Sequence, residues 1–148
     1  MKTATAGWCL AAYEVLLTCA LMACGSSPAQ AADTDAQGMF GFSDGEQVYA
    51  HLCQACHMPD GRGARGAGHY PALAGDPALA SANFVAATIL NGRRNMPSFR
   101  HDDNFEFFFG PTWLTDTQVA NVVNYVRTHF GNRFEGEITP AEVAALHP

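Results

Sequence analysis

The clearest hydrophobic pattern in the chain lies near its C-terminal end, where four valines recur at helical spacing. Their positions follow i, i+3, i+4 and i+7, which is typical of a helix with one buried face: Val119, Val122, Val123 and Val126. Thr115 and Gln118 stand before them at the spacing of a capping box, and Gly131 follows as a stop signal. The pattern predicts a helix that begins just after Thr115 and ends before Gly131.

Another helix is predicted earlier in the chain, where Ser43 and Glu46 have the spacing of a capping box. It should run to about Cys53, and it places Gly45, Tyr49 and Cys53 on one face because they are four residues apart. A glycine on that face lets a second helix approach closely. We therefore expect the valine-rich helix to pack against it.

Two shorter helices are predicted from similar signals. Ser81 or Asn83 can start the first of them, and Gly92 can end it. Thr139 and Glu142 form a third capping box, which begins a short helix at the C-terminal end. These segments add only helical elements to the fold.

Residues 59–68 hold four glycines and are predicted to form a loop. The glycines do not follow the G-x-G-x-x-G pattern after a strand, so a nucleotide-binding loop is not indicated. Because no convincing strand is found in this part of the chain, the patterns together predict an all-α fold.

The first predicted helix leads into the sequence Cys53-Gln54-Ala55-Cys56-His57, which reads C-x-x-C-H. This is the attachment signature of a c-type haem. Two thiols on one helical turn can add to the two vinyl groups at one edge of a porphyrin, and His57 then places its imidazole under the iron. The motif predicts a small domain built around a flat apolar cofactor.

Other sites use the same cysteine spacing. A thioredoxin-like redox pair requires a βαβ context, which the patterns do not predict. A structural zinc site requires four ligands, and the chain has neither a second C-x-x-C nor an H-x3–5-H pair. A chance match is the remaining alternative. We expect haem, because an export signal and a later Met-Pro pair support it independently.

Met96, followed by Pro97, is the predicted second axial ligand of the iron. A thioether is a soft neutral donor that suits haem iron, although a single methionine more often packs in a core. Met58 is too close to His57 to reach the opposite face, and Met39 lies in the predicted leader. The histidines are weaker axial candidates: His51, His69, His101 and His147.

The N-terminal residues resemble an export signal, with a short apolar stretch at residues 15–23. Ala29-Gln30-Ala31 fits ordinary signal cleavage, whereas Leu21-Met22-Ala23-Cys24 resembles a lipobox and would leave a lipid anchor on Cys24. Either route delivers the chain to the periplasm.

The 148 residues then suffice for one domain. We predict a signal peptide at 1–31, a flexible leader at 32–42, and a domain at 43–148 with a C-terminal extension from about 132.

The charge of the chain limits the kinds of partner that we expect it to bind. After cleavage at residue 31 it would hold seven arginines, no lysine and thirteen acidic residues, a net charge of −6. This balance argues against nucleic acid as a partner. Arg127 and His129 are interpreted as surface residues.

The chain resembles class I cytochrome c, the His/Met monohaem family. The resemblance rests on residues 43–131, and its motifs are Gly45, Tyr49, the C-x-x-C-H sequence, Pro71-Ala72-Leu73-Ala74-Gly75, Asn91-Gly92, Met96-Pro97, Leu114-Thr115-Asp116 and Asn124-Tyr125-Val126-Arg127. It is also similar to the haem domains of cytochrome subunits that serve periplasmic alcohol and sugar-acid dehydrogenases, which often carry three such domains.

The resemblance implies three to five helices wrapped around one haem c. It implies covalent attachment at Cys53 and Cys56, axial ligation by His57 and Met96, and further cofactor contacts from two loop residues, Pro71 and Leu73. The Pro71 carbonyl would accept a hydrogen bond from Nδ1–H of His57 and raise the basicity of the ring.

The expected function is non-catalytic transfer of single electrons between a periplasmic dehydrogenase and a terminal oxidase. A permanent haem subunit of a dehydrogenase is the alternative, and a five-coordinate haem enzyme or sensor is a third. The aromatic segment at 99–113 either folds over the haem edge or docks a partner.

Overall fold

The computed structural model describes residues 38–66, 68–101 and 112–148. All of them belong to the compact unit Asp33–Pro148. The predicted signal peptide at 1–31, including Cys24, lies outside the described residues, as do residues 32–37 of the leader. Most of the aromatic segment, residues 102–111, also lies outside them. The expectations for these segments stay predictions.

The first helical segment carries the C-x-x-C-H motif at its end. It consists of α1 (Gly45–Val48), a π-helical turn (Tyr49–Cys53) and α2 (Gln54–His57), which follow one another without a break. The segment is therefore one turn longer than the sequence predicts, and both motif cysteines lie on helical backbone.

The residue that caps this segment is Asp44, whose carboxylate accepts a hydrogen bond from the Gln47 backbone N–H at 3.1 Å. The prediction of Ser43 as the cap is wrong by one residue. The Ser43 carbonyl oxygen instead accepts a hydrogen bond from Nδ2 of Asn121 at 2.8 Å, which ties the start of the segment to the last long helix.

A short hairpin corrects the expectation of a purely helical fold. Strand β1 (Ala64–Arg65) lies within the predicted loop, and it pairs antiparallel with β2 (His69–Tyr70), which directly follows that loop. Gly63, at φ +62°, enters the hairpin with its backbone so close to the Tyr70 carbonyl oxygen that a side chain would not fit. The glycine-rich composition predicted a loop, but it also suits this tight reversal.

Helix α3 (Ala82–Asn91) follows a 3-10 turn (Pro77–Ala80) and ends at Gly92. Ser81 caps it, since its hydroxyl oxygen accepts a hydrogen bond from the Phe84 backbone N–H at 3.2 Å. The first of the two predicted caps is therefore confirmed.

Two more helices complete the described fold: α4 (Asp116–Thr128) and α5 (Pro140–Ala144). Both predicted capping boxes are present, one made by Thr115 with Gln118 and the other by Thr139 with Glu142. The hydrogen bonds from Thr139 lower the pKa of the Glu142 carboxyl. None of the helices within the described ranges is both long and apolar enough to cross a membrane.

The hydrophobic core lies where α4 meets α1, α3 and α5. Its fully enclosed side chains include one residue of α1 and three of the valines that predicted α4: Val48, Val119, Val122 and Val123. Gly45 of α1 lies against the backbone of α4, where a Cβ would overlap the Asn121 carbonyl oxygen. The predicted close approach of the two helices is confirmed.

Residues 38–42 were predicted to belong to the flexible leader, but they pack against the domain. Phe40 and Phe42 pack against the core, and their rings stack with centroids 5.6 Å apart. The Phe42 carbonyl oxygen also accepts a hydrogen bond from Nε2 of Gln118 at 2.6 Å. The two aromatic rings bury apolar surface, so this part of the leader belongs to the folded domain.

Arg127 is buried, with 4% of its surface exposed, and its interpretation as a surface residue is wrong. Its Nε donates to the Leu79 carbonyl oxygen at 2.9 Å, and Nη2 donates to that of Glu135 at 2.7 Å. Nη1 donates to the carbonyl oxygen of Gly136. The guanidinium has five donors, which lets one side chain join the 3-10 turn to the C-terminal extension.

Replacing Gly45 by alanine should lower the free energy of unfolding by about 1–3 kcal/mol, the usual cost of overpacking a close contact. The added Cβ would approach Cβ of Tyr125 to 2.9 Å, besides overlapping the α4 backbone. Gly41→Ala is the matched control, because a Cβ there meets nothing within 4 Å. Urea unfolding followed by circular dichroism measures both variants. Equal stabilities would contradict the tight helix contact.

Candidate functional site

The two motif cysteines carry thiols that are not in a disulfide, and their surroundings differ. Cys56 is exposed, whereas Cys53 packs against the core. Burial, with a smaller contribution from the neighbouring Cys56, raises the pKa of the Cys53 thiol to about 12. Before any cofactor is attached, Cys53 is therefore a neutral thiol at physiological pH.

His57 makes the hydrogen bond that the resemblance to class I cytochrome c implied. Its Nδ1 lies 3.0 Å from the carbonyl oxygen of Pro71. Because a carbonyl oxygen can only accept, the proton of the neutral ring lies on Nδ1 and Nε2 keeps its lone pair. This is the tautomer and orientation in which a protein histidine binds a metal.

The loop between His57 and Pro71 is folded by backbone hydrogen bonds. The Gly61 carbonyl oxygen accepts from the backbone N–H groups of Leu73, at 2.7 Å, and Ala74, at 2.9 Å. The N–H of Gly63 donates to the His57 carbonyl oxygen at 3.0 Å. These bonds close the loop, so the Pro71 carbonyl returns to a histidine that is fourteen residues away in sequence.

A tyrosine from the first helical segment fixes the start of this loop. The hydroxyl of Tyr49 donates to the Met58 carbonyl oxygen at 2.6 Å. Met58 has φ +64°, which turns the chain sharply out of α2. Burial raises the pKa of Tyr49 to about 12, so the hydroxyl keeps the proton that this bond requires.

Asn132 holds the far end of the loop and is a residue that sequence reasoning missed. It is 4% exposed, and its Oδ1 accepts from the Gly75 backbone N–H at 2.9 Å. Its Nδ2 donates to the carbonyl oxygens of Leu73, at 3.0 Å, and Val126, at 2.8 Å. The available sequence signal was an asparagine directly after the Gly131 stop signal, but the burial of its side chain cannot be read from the sequence.

Met96 lies on a tight turn that follows α3. Its backbone pairs with that of Arg93 through two hydrogen bonds of 3.0 Å, and its side chain packs partly buried against the core. Gly92, at φ +68°, lets the chain pass close to itself, and the Phe99 N–H then donates to the Ile89 carbonyl oxygen at 3.0 Å. The position of Met96 is thus fixed by the end of α3, and its role as an iron ligand stays a prediction.

Three of the other histidines are engaged by neighbouring side chains. His51 stacks on Phe42 with ring centroids 4.9 Å apart, and His101 meets Trp113 edge-on at 4.6 Å. Nε2 of His147 lies 2.7 Å from Oδ1 of Asp116. The contact of His147 engages its Nε2, whereas those of His51 and His101 are ring contacts, and their weaker candidacy as axial ligands stays a prediction.

Elsewhere, a shallow cavity of about 630 Å³ lies between the start of α4 and α5. Its lining includes Trp113, Pro140 and Ala144, but none of the predicted cofactor residues. Within the described ranges, no group of three or more His, Cys, Asp or Glu side chains is placed to hold a bare metal ion. The candidate site consists of the C-x-x-C-H segment, the loop that brings Pro71 back to His57, and the turn that carries Met96.

The comparison with protein families identifies the family of the chain. Residues 42–130 match the family model for cytochrome c, and the chain belongs to this family. The predicted resemblance is confirmed. The family implies covalently bound haem c, and Cys53 and Cys56 stand in the C-x-x-C-H motif through which such haem is attached.

Two similar proteins are dehydrogenase subunits. The chain is 37% identical over 99 residues to the fructose dehydrogenase cytochrome subunit of Gluconobacter japonicus, covering 61% of this chain and 19% of that protein. It is 33% identical over 109 residues to the cytochrome c subunit of the quinone alcohol dehydrogenase of Gluconobacter oxydans, covering 69% of this chain and 21% of that protein. The chain thus spans about a fifth of these curated relatives.

A small cytochrome is also similar. The chain is 34% identical over 102 residues to cytochrome c-551 of Bacillus subtilis, covering 68% of this chain and 87% of that protein. The similarity therefore extends over most of a short cytochrome, as well as over one part of much longer subunits.

The residues present fit a haem. The motif supplies two thiols that are available for thioether bonds and an imidazole whose Nε2 keeps its lone pair. Met96 supplies a thioether sulfur on a loop fixed by backbone bonds. A nitrogen and a thioether form the donor set of a low-spin cytochrome.

Gly92→Ala should destabilise the protein more than Gly136→Ala, although φ is positive at both positions, +68° and +76°. A positive φ strains alanine in either variant, and at Gly92 ψ is 168°, a combination that is essentially restricted to glycine and costs other residues about 1–3 kcal/mol. Only at position 92 would Cβ also lie 2.7 Å from the Met96 carbonyl oxygen. Thermal unfolding compares the two variants, and equal losses would contradict the tight return of the Met96 loop.

Proposed function

We propose that the chain is a c-type cytochrome that carries single electrons through one covalently attached haem. The observation that supports this most directly is the 3.0 Å hydrogen bond between Nδ1 of His57 and the Pro71 carbonyl oxygen. This bond leaves the lone pair on Nε2 of His57, and His57 directly follows Cys56, the second cysteine of the attachment motif. Membership of the cytochrome c family supports the same conclusion.

Each site residue has a defined task in this proposal. Cys53 and Cys56 would hold the haem through thioether bonds, each thiol S–H adding across one vinyl group so that no atom leaves. His57 would bind the iron through Nε2 and Met96 through its sulfur, and Leu73 would contribute apolar surface beside the cofactor. When bound, haem supplies reversible exchange of one electron between ferric and ferrous iron. With both of these residues bound to it, the iron would have no open position for a substrate.

The proposed electron donor is a dehydrogenase and the acceptor a terminal respiratory oxidase, both reached in the periplasm. The names of the relatives from Gluconobacter support a dehydrogenase as partner. Export would use the signal at residues 1–31, with Cys24 as a lipid anchor in the alternative processing. The net charge of −6 opposes binding to nucleic acid.

A permanent haem subunit of a dehydrogenase is the second candidate function, because the relatives named above are such subunits. Native purification without detergent distinguishes it from a free carrier. A carrier should elute apart from dehydrogenase activity at physiological salt, whereas a subunit should co-elute with it in constant ratio.

Spectroelectrochemical titration of the haem-loaded protein tests the proposed function. A carrier with both axial positions filled should titrate reversibly with one electron per protein, and its reduced form should bind carbon monoxide slowly or not at all. An irreversible titration or rapid carbon monoxide binding would support the five-coordinate enzyme or sensor instead.

Met96→Leu should abolish the weak far-red sulfur-to-iron charge-transfer band of the oxidised protein and lower the reduction potential, because a Met ligand raises that potential. Met58→Leu is the matched control, since it removes the same thioether from a residue next to His57. Absorption spectra and redox titrations measure both variants. A band that survives in Met96→Leu would identify another ligand.

A further inference from the structure

Asn132 is a buried polar side chain whose hydrogen-bonding groups are all engaged by backbone. Its amide donates to Leu73 and Val126 at 3.0 Å and 2.8 Å, and its Oδ1 accepts from Gly75 at 2.9 Å. It thereby joins the chain just past α4 to two residues of one short loop.

These bonds lead directly to the proposed iron ligand. Leu73 is two residues from Pro71, whose carbonyl oxygen accepts from Nδ1 of His57. The opposite side of the same loop is held by the Gly61 carbonyl oxygen, which accepts from the N–H of Leu73 at 2.7 Å. Pro71 is an exposed residue, and these two anchors direct its carbonyl together with the preceding hairpin and the backbone of Gly63, which lies directly against it.

The two anchors differ in origin. Gly61 lies four residues after His57, whereas Asn132 lies four residues past the end of α4. Asn132 is therefore an anchor that ties the loop of the Pro71 carbonyl by hydrogen bonds to the chain past α4. If this anchor were lost, the loop would have more freedom and the bond to His57 would be less constant in length.

We propose that Asn132 is a positioning residue that sets the strength of the His57–Pro71 hydrogen bond, and through it the reduction potential. The proposal rests on the haem function proposed above. A strong bond to Nδ1–H makes an imidazole more basic, and a more basic ligand favours ferric iron. Weakening that bond should therefore raise the potential.

Asn132→Ser in the haem-loaded protein tests this, with Asn124→Ser as the matched control. Asn124 lies on α4 and exchanges two hydrogen bonds with the backbone of Ile138, at 3.0 Å and 2.9 Å, but its partner is remote in sequence from Pro71. Both variants should lose thermal stability. Only Asn132→Ser should raise the midpoint potential and speed exchange of the His57 Nδ1–H proton, measured by NMR on the reduced protein.

The exchange rate should rise about five- to tenfold, the factor that corresponds to losing a hydrogen bond of ordinary strength. Unchanged potential and exchange in a folded Asn132→Ser protein would overturn the proposal, as would equal changes in Asn124→Ser. If Asn132→Ser does not accumulate, Asn132→Asp keeps the acceptor for Gly75 and loses the amide donors. Because a carboxylate would itself lower the potential, proton exchange at His57 is the readout for this variant: it should speed up in Asn132→Asp and not in Asn124→Asp, and unchanged exchange would also overturn the proposal. A wild-type protein without a reversible one-electron couple would refute the proposed function itself.

Discussion

The contact between α1 and α4 at Gly45 is the constraint on which the rest of the described structure depends. The absent side chain lets the Asn121 carbonyl of α4 lie directly against α1. The helical segment that starts at Gly45 ends in the C-x-x-C-H motif, so the contact also positions the motif relative to α4. Beyond the end of α4, Phe130 packs on Tyr49 with ring centroids 4.8 Å apart, and Asn132 reaches the loop that carries Pro71. The contact between α1 and α4 thus positions both the C-x-x-C-H motif and the loop that carries Pro71.

The site itself is held by neutral hydrogen bonds to backbone carbonyls. His57 donates to Pro71, Tyr49 to Met58, and Asn132 to Leu73. Such bonds lose little strength with salt, whereas exposed ion pairs such as Arg62 with Asp60, at 3.5 Å, contribute little to stability. This construction suits the proposed task of keeping iron ligation constant in both oxidation states, because the bonds themselves join uncharged groups.

Local signals in the sequence predicted most of the helices. The capping boxes at Thr115 and Thr139 and the cap at Ser81 depend on partners within three residues, and all three are confirmed. Ser43 was predicted wrongly because Asp44, beside it, is an equally good cap, and only the tertiary bond from Asn121 decides between them. Arg127 and Asn132 were missed or misread because their partners lie far away in sequence. The C-x-x-C-H motif predicted the kind of cofactor that the site holds, but the geometry of the site depends on contacts between residues that are distant in sequence.

Mass spectrometry of the peptide that contains residues 53–57 is the most direct test of the central claim, that haem is covalently attached to this chain. The protein would be produced in a host with a haem-attachment system, denatured and digested. The account predicts a peptide that retains one haem, with neither thiol of Cys53 or Cys56 open to alkylation. A peptide without haem, in which both thiols are alkylated, would contradict it.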